Sequence, residues 1–149
     1  MSYETITVSY DRETGVATIS LDRPEKRNAI SGQMAAEFID AVATLKDDVE
    51  VRVIVTRANG PSFSSGLDLH ELKARYQDHT SGEMAKLQSG NDWGEPLTGQ
   101  TSDPTGMFEA ATMWPKIMVA QVHGYCLGGR RGRVLGVTEG WHENGVPAQ

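Results

Sequence analysis

The 149 residues carry 14 Lys and Arg against 20 Asp and Glu, a net charge of -6 with a pI near 5.1, which excludes the clustered basic face of a nucleic-acid binder. A single cysteine, Cys126, excludes an internal disulfide, and the four histidines (His70, His79, His123, His142) have no metal-like spacing, so no metal is expected. With 38% hydrophobic and 23% charged residues and a mean hydropathy of -0.41, the composition is that of an ordinary soluble domain with one modest core. No apolar run approaches the roughly 20 residues of a membrane span. The N-terminal Met-Ser-Tyr-Glu-Thr has no basic region followed by an apolar stretch, so the sequence predicts a cytoplasmic protein with no membrane partner.

Residues 6–10 and 16–21 alternate apolar with polar side chains, and the Asp11–Gly15 stretch between them has turn chemistry. This predicts a β-hairpin with Gly15 at a positive φ. The polar segment Arg23–Ala29 follows, kept out of helix by Pro24. Ser31 can cap a helix to about Lys46, on which Met34, Ala35, Phe38, Ile39, Val42 and Leu45 share one face. The β-branched run 51–56 predicts a buried strand, and strand–helix–strand in this order predicts a parallel crossover.

A loop over 57–66 and a short helix over 67–76 are expected next. From Thr80 to Gly106 the chain is polar and glycine-rich without a period, a length that suits a lid-like irregular segment. A helix near 107–114, ended by Pro115, leads to a second buried strand over 117–122. That strand feeds His123-Gly124-Tyr125-Cys126-Leu127-Gly128-Gly129.

At Arg130 the character changes. The last twenty residues hold three basic and two acidic groups, against 11 basic and 18 acidic in the first 129. Residues 1–129 therefore read as one core and 130–149 as an atypical tail, for which a frameshift, a truncated gene or a mispredicted reading frame is the expectation.

Two segments could end a strand with exposed backbone amides: Phe63-Ser64-Ser65-Gly66-Leu67-Asp68-Leu69 and Gly124–Gly129. Two such ends converging on one carbonyl oxygen would make an oxyanion hole, although each alone also reads as a tight turn or a helix cap. Taken together with Arg23-Pro24-Glu25-Lys26-Arg27-Asn28-Ala29, and with Pro115-Lys116 before the second strand, these motifs resemble the crotonase superfamily (the enoyl-CoA hydratase/isomerase family) in order and spacing. The resemblance covers residues 3–129.

The resemblance implies an α/β fold, a partial crotonase-like spiral of βαβ-like units with an N-terminal β-hairpin. It implies acyl-CoA thioesters as substrates and a thioester enolate held by the backbone N–H groups of Leu67 and Gly129. Coenzyme A would be part of the substrate and not a separate cofactor. It would lie against the Arg23–Ala29 loop and Ser64, Ser65 and Gly66, with Lys26 or Arg27 near its phosphates, and with Ala29, Asp68 and Gly128 completing the binding set. Asp68 would also cap the helix that starts beside it. A solvated surface pair remains the other reading of Lys26 and Arg27. Strand-end packing is preferred for His123 and Tyr125, and a small buried hydrophobe for Cys126.

The sequence departs from the family pattern at Gly132, where the first catalytic glutamate would stand, and the second acid would lie past Gln149. Glu139 and Glu143, the acids beyond Gly129, match no family pattern. The resemblance implies a homotrimer or hexamer, but largely through regions that this chain lacks. The expectation is a weak or inactive enzyme of the family, with a non-catalytic CoA-binding module or an unstable fragment as the alternatives.

Overall fold

A computed structural model describes residues 2–71, 107 and 115–127. The helix expected near 107–114 is represented there by Met107 alone, and residues 80–106 and 128–149 lie outside the described set.

Chain order in the described residues is β1 (Ile6–Asp11), β2 (Val16–Leu21), a 3-10 turn (Pro24–Lys26), α1 (Gly32–Asp47), β3 (Val53–Ala58) and β4 (Ile117–Ala120). The hairpin forms as the sequence predicts, β1 antiparallel to β2 with Ile6 opposite Leu21 and Asp11 opposite Val16. Gly15 has φ 69° and its N–H donates to Asp11 O at 2.9 Å. The crossover through α1 makes β2 and β3 parallel, with Val16 opposite Val53, and β4 adds parallel to β3. The described sheet has the order β1-β2-β3-β4.

α1 starts where its cap dictates: Ser31 is extended, and its hydroxyl accepts a 3.1 Å bond from Met34 N. Met34, Ala35, Phe38, Ala41, Val42 and Leu45 are buried on one stripe, while Ile39 is only half-buried. They meet Ala17, Ile19, Leu21, Ile54, Met118 and Ala120 in one apolar core. Each large side chain removed from water there contributes roughly 1.5–3 kcal/mol. The opposite face of the sheet is less covered, Val53 and Val55 being half-buried and Ile117 and Val119 exposed.

Three elements have other boundaries than expected, among them β4, which ends at Ala120 and not Val122. β3 begins at Val53, not Val51, and runs on through Arg57 and Ala58, which the sequence assigned to a loop. Val51 is fully buried, but its N–H bonds Asp48 O in the turn after α1, and its carbonyl accepts from Lys116 Nζ at 2.6 Å. Its side chain is core while its backbone belongs to a turn. The helix expected from Leu67 instead starts at Leu69, because Leu67 is held in a parallel bridge with Ile30.

Candidate functional site

The segment after β2 turns tightly over Pro24. Arg23 O accepts from the backbone N–H groups of Lys26 and Asn28, and Pro24 O accepts from that of Arg27. Closing the turn puts Arg27 and Asn28 at φ 51° and 52°, a region that asparagine tolerates better than most residues.

Asn28 is fully buried and serves three backbones at once. Its Oδ1 accepts from Arg23 N, and its Nδ2 donates to Asn59 O and Ser62 O, each at 2.9 Å. The sequence reading gave Asn28 no role. An asparagine directly after a Pro-containing polar turn is the signal that could have found it. Lys26 and Arg27 are exposed on the outside of this turn, and Ala29 is half-buried.

The Ser64–Asp68 segment crosses two neighbours. On one side Ser64 bridges Cys126: Ser64 N donates to Tyr125 O at 3.0 Å and Leu127 N to Ser64 O at 2.9 Å. On the other side Ser65 N donates to Arg27 O, Ile30 N to Gly66 O, and Asp68 N to Ile30 O, at 2.8–2.9 Å. The buried Ser64 hydroxyl donates to Asn28 O at 2.8 Å and accepts from Gly66 N at 3.1 Å. Gly66 has φ 90°, which a residue with a Cβ adopts only under strain.

Within this segment the N–H groups of Ser64, Ser65, Gly66 and Asp68 all have acceptors, and that of Leu67 has none among the described residues. Its direction follows from covalent geometry. Leu67 N–H and Gly66 C=O belong to one trans peptide, so a carbonyl aimed at Ile30 N turns the N–H away from Ile30.

Asp68 caps the next helix, its Oδ1 accepting from His70 N at 3.1 Å. Its Oδ2 also faces Arg23, with Nη1 and Nη2 both at 3.3 Å, in a pair whose side chains are 17% and 11% exposed. Burial pushes the Asp68 carboxyl up, but the His70 N–H, the Arg23 guanidinium and the Glu71 N–H outweigh it and hold the carboxyl below its ordinary value. Arg23 Nη1 further donates to Ala29 O at 2.7 Å. No spacing in the sequence marks the Arg23–Asp68 pair, which is 45 residues apart.

The second arm is held differently. His123 is half-buried three residues past β4, its carbonyl accepting from Phe63 N and its Nε2 2.8 Å from Gly60 O. Gly124 has φ 58°, and a Cβ there would collide with Pro61 O. Cys126 packs half-buried against the core, and burial raises its thiol pKa. Tyr125 does not pack, contrary to expectation, and is 69% exposed. Alternation along an extended segment turns Cys126 inward and therefore Tyr125 and Leu127 outward. Gly128 and Gly129, and with them the expected second N–H donor, lie outside the described residues.

The sequence model of enoyl-CoA hydratase/isomerase matches residues 11–138. The chain belongs to this family. The hydroxycinnamoyl-CoA hydratase-lyase of Pseudomonas fluorescens is 32% identical over 123 residues, 83% of this chain and 40% of that protein. The mitochondrial Delta(3,5)-Delta(2,4)-dienoyl-CoA isomerase of Mus musculus is 28% identical over 128 residues, 86% of this chain and 37% of that one. Among solved structures, an enoyl-CoA hydratase of Mycobacterium smegmatis superposes with a TM-score of 0.60 at 30% identity, covering 81% of this chain and 40% of the other. An enoyl-CoA hydratase/isomerase from Xanthobacter autotrophicus Py2 does so at 0.61 and 26%, covering 84% and 40%. This family member thus spans about 40% of the length of the relatives that it matches. The mixed α/β architecture with its leading hairpin is the family's fold. Among the described residues no helix is long and apolar enough to cross a membrane, and no cluster of His, Cys, Asp and Glu could hold a metal ion.

Proposed function

We propose that the chain binds acyl-CoA thioesters and polarises the thioester carbonyl with the Leu67 N–H, the Gly129 N–H acting as second donor. The observation that carries this reading is the Leu67 amide itself. It is an N–H with no acceptor among the described residues, in a segment whose neighbouring amides are all bonded, fixed in direction by the Ile30–Gly66 bond and by the positive φ of Gly66. A pre-aimed donor stabilises an oxyanion without reorganising as charge develops, and losing one such donor costs on the order of 3 kcal/mol of transition-state stabilisation. Coenzyme A would lie along the Arg23–Ala29 turn and the Ser64–Gly66 backbone. The exposed Lys26 and Arg27 sit on that turn, where a phosphate can reach either one.

Hydration of an enoyl thioester also needs a group that activates water and protonates carbon. The carboxylate next to the candidate donor, Asp68, is committed to Arg23 and to the helix cap. The position three residues after Gly129 is Gly132, and the acids beyond it are Glu139 and Glu143. These observations favour a second reading, in which the chain binds and polarises the thioester without turning it over.

Titration with crotonyl-CoA, followed by calorimetry and by loss of the enoyl absorbance, separates the two. Saturable binding without hydration fits the second reading. Hydration fits the first and assigns the proton-transfer role to Glu139, Glu143 or a partner chain. Absence of saturable binding removes both. A trimeric or hexameric assembly belongs to the same proposal, and light scattering on the purified chain tests it.

A further inference from the structure

The Leu67 amide lies at the end of a hydrogen-bonded series that begins at a cation. Arg23 Nη1 donates to Ala29 O at 2.7 Å. Ala29 C=O and Ile30 N–H are two ends of one peptide unit, and Ile30 N donates to Gly66 O at 2.8 Å. Gly66 C=O and Leu67 N–H are again two ends of one peptide unit. The series therefore runs guanidinium, peptide, peptide and the Leu67 N–H, which has no acceptor among the described residues, with every bond in it oriented in the same sense.

Bonds arranged head to tail polarise one another, by about 10–30% per bond in condensed phases, and more where water is excluded. A positive charge at the carbonyl end draws electron density toward itself and leaves the terminal N–H more positive. The guanidinium is held in place for this. Asp68 Oδ2 faces both Nη atoms at 3.3 Å, and the Arg23 backbone is fixed by Asn28, whose Oδ1 accepts from Arg23 N and whose own N–H donates to Arg23 O. Both side chains of the ion pair are largely buried, so solvent screens the charge less than it would on the surface.

We propose that Arg23 is a positioning residue for the candidate oxyanion donor: through the Ala29–Ile30 and Gly66–Leu67 peptides it aims the Leu67 N–H and raises its strength as a donor, while Asp68 holds the guanidinium against Ala29 O. This rests on the reading of Leu67 as a thioester-carbonyl donor. The role differs from phosphate binding, for which the exposed Lys26 and Arg27 remain the candidates.

The test uses crotonyl-CoA labelled with carbon-13 at the thioester carbonyl, bound to the full chain at saturation. Its carbonyl resonance moves downfield as the oxygen receives stronger hydrogen bonds. The expected result is a clear downfield shift in the wild type. Arg23→Gln, which can still bond Ala29 O but is neutral, loses at least half of that shift when both proteins are compared at saturation. Arg23→Lys keeps the greater part. A merely structural role would lower stability and leave the carbonyl resonance of ligand bound at saturation where it is in the wild type. A wild-type shift in a folded Arg23→Gln overturns the proposal. Should that variant not fold, Arg23→Met, which is neutral and of similar length, takes its place with the same criterion.

A wild-type protein that binds with no carbonyl shift, or does not bind, defeats the functional reading. The series is then judged in the ligand-free protein by amide exchange at Ile30 N–H. Exchange at least tenfold faster in Arg23→Gln supports the positioning, and an unchanged rate overturns it.

Discussion

The two arms of the candidate site are built by different means. The Ser64–Asp68 arm has backbone bonds to both neighbours and is fixed in addition by side chains: the Asn28 amide, the Ser64 hydroxyl and the Arg23–Asp68 pair all bond it or the turn beside it. The His123–Leu127 arm is attached mainly by backbone, through Phe63 N to His123 O, Ser64 N to Tyr125 O, and Leu127 N to Ser64 O. A donor placed by buried side chains is sensitive to their chemistry. A segment placed by ladder bonds is sensitive to its backbone shape and tolerant of its outward side chains. The site therefore has a chemically specified half and a geometrically specified half.

The largest expected effect comes from breaking the first half at its centre. Asn28→Ala leaves Arg23 N, Asn59 O and Ser62 O without their partners and places alanine at φ 52°. The expected loss is on the order of 3 kcal/mol, read as a lowered urea midpoint at unchanged slope. A change under 1 kcal/mol would mean that Asn28 does not organise the arm. Next is Gly124→Ala in the second half. There the added Cβ meets the Pro61–Ser62 backbone and the positive φ disfavours any Cβ, for a loss of about 1–3 kcal/mol. Amide resonances of Phe63 and Ser64 should move with it, and their staying fixed would show that the two arms are not coupled there.

Acid should separate the halves as well. Asp68 is held below its ordinary value despite burial, and so is Glu37, whose carboxylate accepts from Thr5 Oγ1, Thr5 N and Glu4 N. A carboxyl whose pKa is depressed by folding adds stability that is fully present above the unfolded value and is lost as pH falls through the folded one. The urea midpoint should therefore drop below about pH 4. Asp68→Asn should flatten that dependence, and an equally steep acid limb in the variant would contradict the assignment. The smallest effect is Tyr125→Ser. With Tyr125 69% exposed, the change in stability should stay within roughly 0.5 kcal/mol, and a larger loss would show that the outward face of this arm is covered.

The sequence reading reached what local patterns encode. The hairpin, the Ser31 cap, the apolar stripe of α1 and the parallel crossover each follow from periodicity or from a capping residue within a few positions. It placed β3 two residues early because Val51 is apolar and β-branched, while its carbonyl is taken by Lys116, 65 residues away. It named Leu67 through the family's motif order, and no pattern in 63–69 alone would have separated its N–H from those of its neighbours. It passed over Arg23 and Asn28, which combine partners five and six residues away with others 31 to 45 residues distant. It favoured Lys26 and Arg27 because charge in a loop is visible in a sequence, while a partly buried cation facing a peptide carbonyl is not.

The most direct test of the account is the Leu67 amide itself, followed by proton–nitrogen correlation spectra as crotonyl-CoA is added. The account predicts a saturable downfield shift of the Leu67 amide proton, larger than those of Ser65 and Gly66, whose N–H groups are already bonded. Saturable binding that leaves the Leu67 amide unmoved would contradict it.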